Sequence, residues 1–291
     1  MRKSHVLSRL SNMLFVLPAV AFFITFSIYP LYKTFQLSFF DWNGIAPTMN
    51  FVGLQNYITA FSDKVWWKAV YNGFYLAVLA LIFMNSLALF LAILVNNDIR
   101  GASVYRVIFY IPPILSGIVV GYIWKWIYDP TYGILNAILE YLHLGFLKHA
   151  WLSDVKTALL SVAVASIWQG FGGSFIIFLA GLQGIPQELY EAAKVDGASA
   201  WEQFRWITLP LLSKTYTIVS ILTILGAMQL LTLVLALTNG GPGFETEVPA
   251  LRIYKEAFSS YRFGYATALS VILGLMLLII SLIQIKLRRE E

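Results

Sequence analysis

Two long apolar stretches of the chain contain polar and aromatic side chains whose chemistry suits a hydroxyl-rich ligand. In the first stretch Trp168 precedes Gln169, and in the second Met228 precedes Gln229. A glutamine amide in apolar surroundings must find a hydrogen-bond partner, and an indole ring offers a flat apolar face on which a sugar ring can stack. Helix packing explains any single one of these polar residues equally well, but two groups at similar depth favour a shared cavity. The predicted cavity residues are Ser166, Trp168, Gln169, Ser174, Met228, Gln229 and Thr232.

The sequence contains no set of residues typical of a catalytic or metal site. It has no cysteine, and its three histidines, His5, His143 and His149, are scattered along the chain. No Gly-x-x-x-x-Gly-Lys-Ser/Thr phosphate loop occurs, so the chain lacks the usual means of binding a nucleotide. We therefore predict no catalytic residue, no metal and no cofactor on this chain. Any energy-requiring process in which it takes part must be driven by a partner, unless the chain acts passively.

Charged residues are so sparse that the gaps between them predict six transmembrane helices. The chain is 59% hydrophobic and only 12% charged, which lies outside the range of soluble proteins. Each gap approaches or exceeds the roughly 20 residues that cross a bilayer core, and the short third one extends past Lys125 if that side chain snorkels. None of the gaps contains a titrating relay of the kind that ion-coupled carriers use. The uncharged windows are 10–32, 69–97, 107–124, 157–187, 215–244 and 263–285.

Prolines and glycines inside these windows predict local backbone geometry. Pro112 and Pro113 remove backbone donors and should kink the third helix. Gly170, Gly172 and Gly173 are typical of close helix packing. Outside the windows, residues 135–147 predict a short surface helix.

The N-terminal stretch 1–21 resembles a secretory signal, because basic residues precede an apolar run that ends in Ala19-Val20-Ala21. The apolar run nevertheless continues to Tyr29 and so makes a full span. We predict a retained first helix, followed by an external loop, in an N-terminal domain of residues 1–68. Residues 69–291 then form the core domain with five spans.

A polar segment, Pro186–Pro210, separates two of the apolar windows and is predicted to form two short helices with a glycine joint. Gly197 stands where a left-handed cap ends the first helix, and Pro186 suits its start. Ser199 and Glu202 have the spacing of a capping box, which begins the second helix.

The polar segment resembles the EAA loop of the permease subunits of binding-protein-dependent ABC importers. The ordered combination of an acid, a small pair, a glycine and Leu-Pro between two spans is specific, although the three letters Glu-Ala-Ala alone are not. Residues 237–242 resemble the carbohydrate branch of that family, of the maltose and glycerol-3-phosphate type. The matching residues of the polar segment are Glu191, Ala192, Ala193, Asp196, Gly197, Ala198, Ile207, Leu209 and Pro210.

This resemblance implies an all-α membrane protein with six transmembrane helices and the type I ABC importer permease fold. It also implies that the polar segment is the coupling helix that sits in a groove of a cytoplasmic ATPase. Glu191 would then bind the ATPase, Ala192 and Ala193 would allow close approach, and Gly197 would set the angle between the helices. The alternative for Glu191 is a solvated side chain paired with Lys194. The residues assigned to coupling are Glu191, Ala192, Ala193, Asp196, Gly197, Leu209 and Pro210.

The implied partners are a second homologous permease, two ATPase subunits that bind ATP and Mg²⁺, and an extracytoplasmic solute-binding protein. The chain itself would be no enzyme. Its net charge of +5 fits lipid headgroups better than nucleic acid, since basic residues are dispersed or flank spans. Basic residues are denser on the side of the termini, which include Arg2, Lys3, Arg9, Arg288 and Arg289. The positive-inside rule therefore places both termini and the polar segment in the cytoplasm of a prokaryote.

Three functions remain open from the sequence. The first is ATP-driven import of a sugar or oligosaccharide across the cytoplasmic membrane. The second keeps this machinery but carries glycerol-3-phosphate or another small solute, which the absence of Arg and Lys from the spans disfavours. The third is a stand-alone channel or facilitator, which would transport without partners.

Overall fold

The structure is a computed structural model that describes residues 15–96 and 100–287. The basic residues Arg2, Lys3, Arg9, Arg288 and Arg289, used in the signal-peptide and topology arguments, lie outside these ranges. Helices dominate the described chain, and its strands are two short segments, β1 (Phe40–Asp41) and β2 (Asn50–Phe51). The helices are α1 (Phe15–Leu37), α2 (Gln55–Ser62), α3 (Lys64–Asn96), α4 (Ala102–Ile114), α5 (Gly117–Ile127), α6 (Ile134–Tyr141), α7 (Ala158–Gln183), α8 (Gln187–Val195), α9 (Ala200–Gln203), α10 (Ser213–Met228), α11 (Thr232–Leu237), α12 (Pro249–Phe258) and α13 (Phe263–Leu287).

Five helical stretches within the described residues are long and apolar enough to cross a membrane. They are α1, α3, α7, α13 and the stretch Ser213–Leu237, which comprises α10 and α11. The bent pair α4 and α5 also passes the test when counted together, and taken as one broken span it makes six. The all-helical prediction with six apolar spans is thereby confirmed, with the third span in two pieces.

The break in the third span follows directly after the two prolines. Pro112 and Pro113 lie in the last turn of α4, Leu115 adopts an extended conformation, and the side chain of Ser116 caps the start of α5. The two helices meet at an angle of 94°. Because each proline removes a backbone donor, the helix cannot continue smoothly through this point. The predicted kink is present and is a complete break.

Two prolines inside other helices follow wide π-helical turns. The turn Ile24–Ile28 precedes Pro30 in α1, and the turn Phe204–Thr208 precedes Pro210. A π-turn leaves one backbone carbonyl without its usual donor, so a proline that lacks an N–H loses little at that place. This relation explains how the helix after α9 continues through Pro210 to Leu211.

One compact unit combines the described residues up to Asp63 with Ile253–Leu275. The strands β1 and β2 pair antiparallel, and Phe40 faces Phe51 across them. The amide of Asn56 donates to the backbone carbonyl of Phe40 at 2.9 Å, and the hydroxyl of Tyr265 donates to Asp63 at 2.9 Å. These bonds fix the connection after α1 and the start of α13 as parts of one structure.

The other compact unit comprises Lys64–Arg252, except for residues 97–99, together with the end of α13. Its core joins Ala88 and Ala92 of α3 to Phe175 and Phe178 of α7, all fully buried. Small residues on one helix and aromatic rings on the other allow close contact, which drives helix association in a membrane. The predicted surface helix at 135–147 is present as α6 and a short 3₁₀ turn, Gly145–Leu147. The division of the sequence at residue 68 into two domains stays a prediction.

Candidate functional site

The polar segment folds as two short helices joined at a left-handed glycine. Gly197 has a φ of +81°, a conformation that costs an L-residue about 1–2 kcal/mol. The N–H of Gly197 donates to the carbonyl of Lys194 at 3.1 Å, and that of Ala198 donates to Ala193 at 2.8 Å. These two bonds complete a glycine-based C-terminal cap, so α8 ends where the sequence predicts.

The capping box at the start of α9 is also present. The backbone N–H of Ser199 donates to a carboxylate oxygen of Glu202 at 2.7 Å, and the N–H of Glu202 donates to the hydroxyl of Ser199 at 3.3 Å. The Ser199 hydroxyl and backbone N–H both stabilise the carboxylate, and they hold the pKa of Glu202 below its ordinary value of about 4.5. The angle between α8 and α9 is therefore fixed by local bonds at both sides of Gly197.

A further bond ties the two helices of the polar segment together. The hydroxyls of Tyr190 and Thr208 lie 2.9 Å apart, and Thr208 is buried. Sequence reasoning missed this pair, because its members are far apart in the chain and only the fold of the segment brings them together. The bond makes α8 and the turn after α9 one stiff unit rather than two independent helices.

The outer surface of this unit combines charge with exposed apolar side chains. Glu191, Ala192 and Asp196 are exposed, and Val195 and Trp201 are 88% and 68% exposed. The described structure has no ion pair between Glu191 and Lys194, so the proposed intrahelical pairing is not formed here. Leu209 is half-buried and Pro210 is exposed at the base of the unit. An exposed mixture of acidic, small and aromatic groups suits a protein partner.

A cavity of about 550 Å³ opens among α3, α4, α7 and α10. It is within the size range of small-molecule sites. Three of the predicted residues line it, namely Ser166, Gln169 and Ser174. None of the described residues that line it carries a charge, and their polar groups are hydroxyls and one amide.

The other four predicted cavity residues lie outside this lining. Trp168 packs its ring against Trp124, with centroids 5.9 Å apart. Met228 is buried and packs on Gly73, so closely that a Cβ added to Gly73 would lie 2.6 Å from the Met228 sulfur. Thr232 packs still more closely on Gly117, and Gln229 is exposed at the break between α10 and α11. Their role in binding a solute stays a prediction.

Gln169 also supports the broken span. Its amide nitrogen donates to the carbonyl of Leu115 at 3.0 Å, where the break between α4 and α5 leaves backbone groups without helical partners. This bond satisfies the need for a partner that a partly buried glutamine has in apolar surroundings. It also places the side chain between the cavity and the break.

Asn85 is a cavity-edge residue that sequence reasoning missed. It is 1% exposed, and its side-chain oxygen accepts hydrogen bonds from Ser174 at 3.3 Å and from Thr223 at 3.1 Å. Its amide nitrogen is buried and has no hydrogen-bond partner among the described residues. Ser174 and Thr223 both line the cavity. An asparagine inside an uncharged window is as unusual as Gln169, and that signal could have identified it.

The glycines of α7 divide between packing and cavity. A Cβ on Gly172 would lie 2.1 Å from the carbonyl oxygen of Phe109, so this residue permits the contact between α4 and α7. Gly173 has no atom within 4 Å of such a Cβ and lines the cavity. Gly170 lines the cavity beside Met84.

Comparison with known proteins gives the family. Residues 84–289 match the family described as "Binding-protein-dependent transport system inner membrane component". The chain belongs to this family. The match covers α7, the whole polar segment and α10, which form the site described above.

Relatives of this permease are similar along nearly its whole length. A probable ABC transporter permease protein of Pyrococcus horikoshii is 37% identical over 269 residues, which are 92% of each chain. A probable starch degradation products transport system permease protein of Thermoanaerobacterium thermosulfurigenes is 32% identical over 278 residues, 96% of this chain and 94% of the relative. A solved bacterial ABC transporter involved in the import of the acidic polysaccharide alginate matches with a TM-score of 0.84 and 23% identity, covering 100% of this chain and 99% of that one.

These matches confirm the predicted family and the type I ABC importer permease fold. The permease is a multi-pass membrane protein and a transport subunit. The solved structure supports the fold only, because its sequence identity is low.

Proposed function

We propose that this permease moves a sugar or oligosaccharide across the cytoplasmic membrane of a prokaryote, driven by ATP hydrolysis in partner subunits. The observation that carries the proposal is the cavity of about 550 Å³, whose wall, within the described ranges 15–96 and 100–287, has hydroxyl and amide groups and no charged side chain. Neutral donors and acceptors suit sugar hydroxyls, and the apolar remainder suits the faces of the ring. The relative named for starch degradation products supports the same class of cargo.

A cargo such as glycerol-3-phosphate is the nearest alternative. A phosphate needs a cation or several aligned backbone donors, and the part of the chain that the structure describes places no lysine or arginine in this cavity wall. An anion would lose its hydration there without compensation. The charge of the cavity wall therefore favours a neutral sugar over a phosphorylated solute.

The polar segment serves as the coupling helix in this proposal. Its stiff two-helix form allows it to transmit displacement, because the Tyr190–Thr208 bond and the cap at Gly197 resist bending between α8 and α9. Glu191, Ala192 and Asp196 would meet the ATPase, and Leu209 and Pro210 would connect the segment to α10. The segment and both termini then face the cytoplasm.

The partners follow from this mechanism. Two ATPase subunits would bind ATP and Mg²⁺, and this chain would bind neither. A second homologous permease would complete the translocation path, and an extracytoplasmic solute-binding protein would deliver the sugar. No nucleic acid takes part, and the bilayer surrounds the spans.

Reconstitution with and without partners tests the proposal. We expect the permease alone in liposomes to transport nothing, and the assembled importer to take up labelled maltodextrins only when ATP is supplied. A matched assay with labelled glycerol-3-phosphate separates the two cargoes. Uptake by the chain alone would mean a facilitator, and ATP-dependent uptake of glycerol-3-phosphate without maltodextrin uptake would overturn the choice of cargo.

A further inference from the structure

A second cavity, of about 670 Å³, lies between the polar segment and the adjacent ends of α3, α4 and α7. We call it the basal cavity. It is separate from the cavity of about 550 Å³ described above, here called the uncharged cavity, since the two share no lining residue. Its wall is rich in side chains that donate hydrogen bonds, namely Asn96, Arg106, Gln183, Gln187, Lys194 and Gln203.

The basal cavity carries positive charge without a compensating acid among the lining residues that the structure describes. Arg106 comes from α4 and Lys194 from α8, and none of the residues that the structure describes in this wall is Asp or Glu. The Nε atom of Arg106 is buried and has no hydrogen-bond partner within the described residues. A buried guanidinium nitrogen that lacks an acceptor is costly, so an occupant that supplies one is favoured.

The other polar groups of the wall restrict what that occupant can be. The hydroxyls of Tyr190 and Thr208 bond each other, and the amide nitrogen of Gln203 donates to the carbonyl of Ala198 at 2.9 Å. The buried, unpartnered Nε of Arg106 is therefore the group in this wall that most needs a ligand, and the exposed ammonium of Lys194 adds a second positive charge beside it. Both are donors only, and a guanidinium matches the oxygens of a phosphate with two parallel bonds.

We infer that the basal cavity binds a phosphate group through Arg106 and Lys194. The phosphate would join α4 to the polar segment, because the two cations belong to different elements. The ligand is a phospholipid headgroup from the adjacent membrane surface or a soluble phosphate compound, and both present the same oxygens. This site is independent of the cargo and lies under the polar segment rather than on its exposed outer surface.

Thermal unfolding of the purified full chain in neutral detergent tests the soluble source. Inorganic phosphate is titrated against chloride at constant ionic strength, for the native chain and for Arg106→Gln, Lys194→Gln and Lys214→Gln. Lys214 is the matched control, because it is an exposed lysine that does not line the cavity. The lipid source is tested by unfolding the same four proteins in phosphatidylcholine vesicles with and without phosphatidylglycerol.

The site is supported if the probe stabilises the native chain and if Lys194→Gln and Arg106→Gln each lower the apparent affinity for it about tenfold. Lys214→Gln should leave that affinity unchanged. An effect of inorganic phosphate identifies a soluble ligand, and an effect of phosphatidylglycerol alone identifies a headgroup. Equal responses of the native chain and all three variants, or no response to either probe, would overturn the inference. If Arg106→Gln does not fold, Lys194→Gln compared with Lys214→Gln still decides the question.

Discussion

The amide nitrogen of Gln169 donates a 3.0 Å hydrogen bond to the carbonyl oxygen of Leu115, and this bond joins α7 to the break between α4 and α5. A residue chosen from the sequence as a sugar ligand therefore also supports the backbone of a broken span. The two roles are compatible, because the break exposes polar backbone next to the uncharged cavity.

Gln169→Leu should destabilise the permease by about 1–3 kcal/mol, because the carbonyl of Leu115 loses its donor in a water-poor environment. Thermal unfolding in detergent measures the change. Gln229→Leu is the matched control, because Gln229 is exposed and its replacement should leave the stability unchanged. We expect this control variant to alter uptake only. Equal stability of both variants would mean that the bond to Leu115 is unimportant.

Two neighbouring glycines of α7 should respond in opposite ways to alanine. Gly172→Ala places a methyl group 2.1 Å from the carbonyl of Phe109, so backbone must move, and overpacking of this kind costs about 1–3 kcal/mol. Gly173→Ala meets no atom within 4 Å and should raise stability slightly through helix propensity. Unfolding curves of the two variants check the order. A more stable Gly172→Ala variant would contradict the contact between α4 and α7.

Two buried asparagines of α3 should differ in their importance for folding. Asn72 donates to the carbonyls of Glu245 at 2.9 Å and Glu247 at 2.8 Å, so Asn72→Leu should destabilise the permease by about 2 kcal/mol or more. Asn85→Leu removes an amide nitrogen that has no partner among the described residues, but it also removes the acceptor of the Ser174 and Thr223 hydroxyls. We therefore expect Asn85→Leu to destabilise the permease less than Asn72→Leu does. Its uptake of sugar should fall, because the variant alters the polar edge of the cavity. If Asn85→Leu destabilised the permease as strongly as Asn72→Leu, Asn85 would be a residue that stabilises the fold and not one that serves the cavity.

Coupling should depend on Gly197 and Glu191. Gly197→Val forces a branched residue into a left-handed conformation, which shifts the angle between α8 and α9, and Glu191→Ala removes an exposed acid from the outer surface. Both variants should insert into the membrane but lose the substrate-stimulated ATPase activity of the assembled importer. Gly184→Ala is the control, since Gly184 has a right-handed φ of −80°. Normal stimulation in both test variants would remove the coupling role.

The start of α9 should loosen in acid. The Ser199 hydroxyl and N–H lower the pKa of Glu202, so its stabilising effect is present above the ordinary pKa of about 4.5 and is lost as the pH falls through the lowered value. Amide exchange of the first turn of α9, corrected for intrinsic rates, should accelerate as the pH falls below the ordinary glutamate pKa. Glu202→Gln should lack this pH dependence. An identical pH profile in the variant would exclude the capping box as its cause.

The sequence by itself determined the features that depend on local chemistry. The left-handed cap at Gly197 and the box of Ser199 with Glu202 are set by residues within five positions of each other, so their spacing was sufficient. The apolar spans follow from the absence of charge, and the break in the third follows from Pro112 and Pro113. The family resemblance of the polar segment rests on the same short-range pattern.

The tertiary structure decided which side chains share a cavity. Trp168 and Gln169 are neighbours in sequence, yet one packs on Trp124 and the other faces the cavity, because adjacent helical residues point in different directions. Asn85 reaches Ser174 and Thr223 only because three separate helices meet there, and Arg106 reaches the same cavity as Lys194 for the same reason. The rotation of each helix about its axis depends on contacts with residues distant in the chain, and no local pattern contains that information.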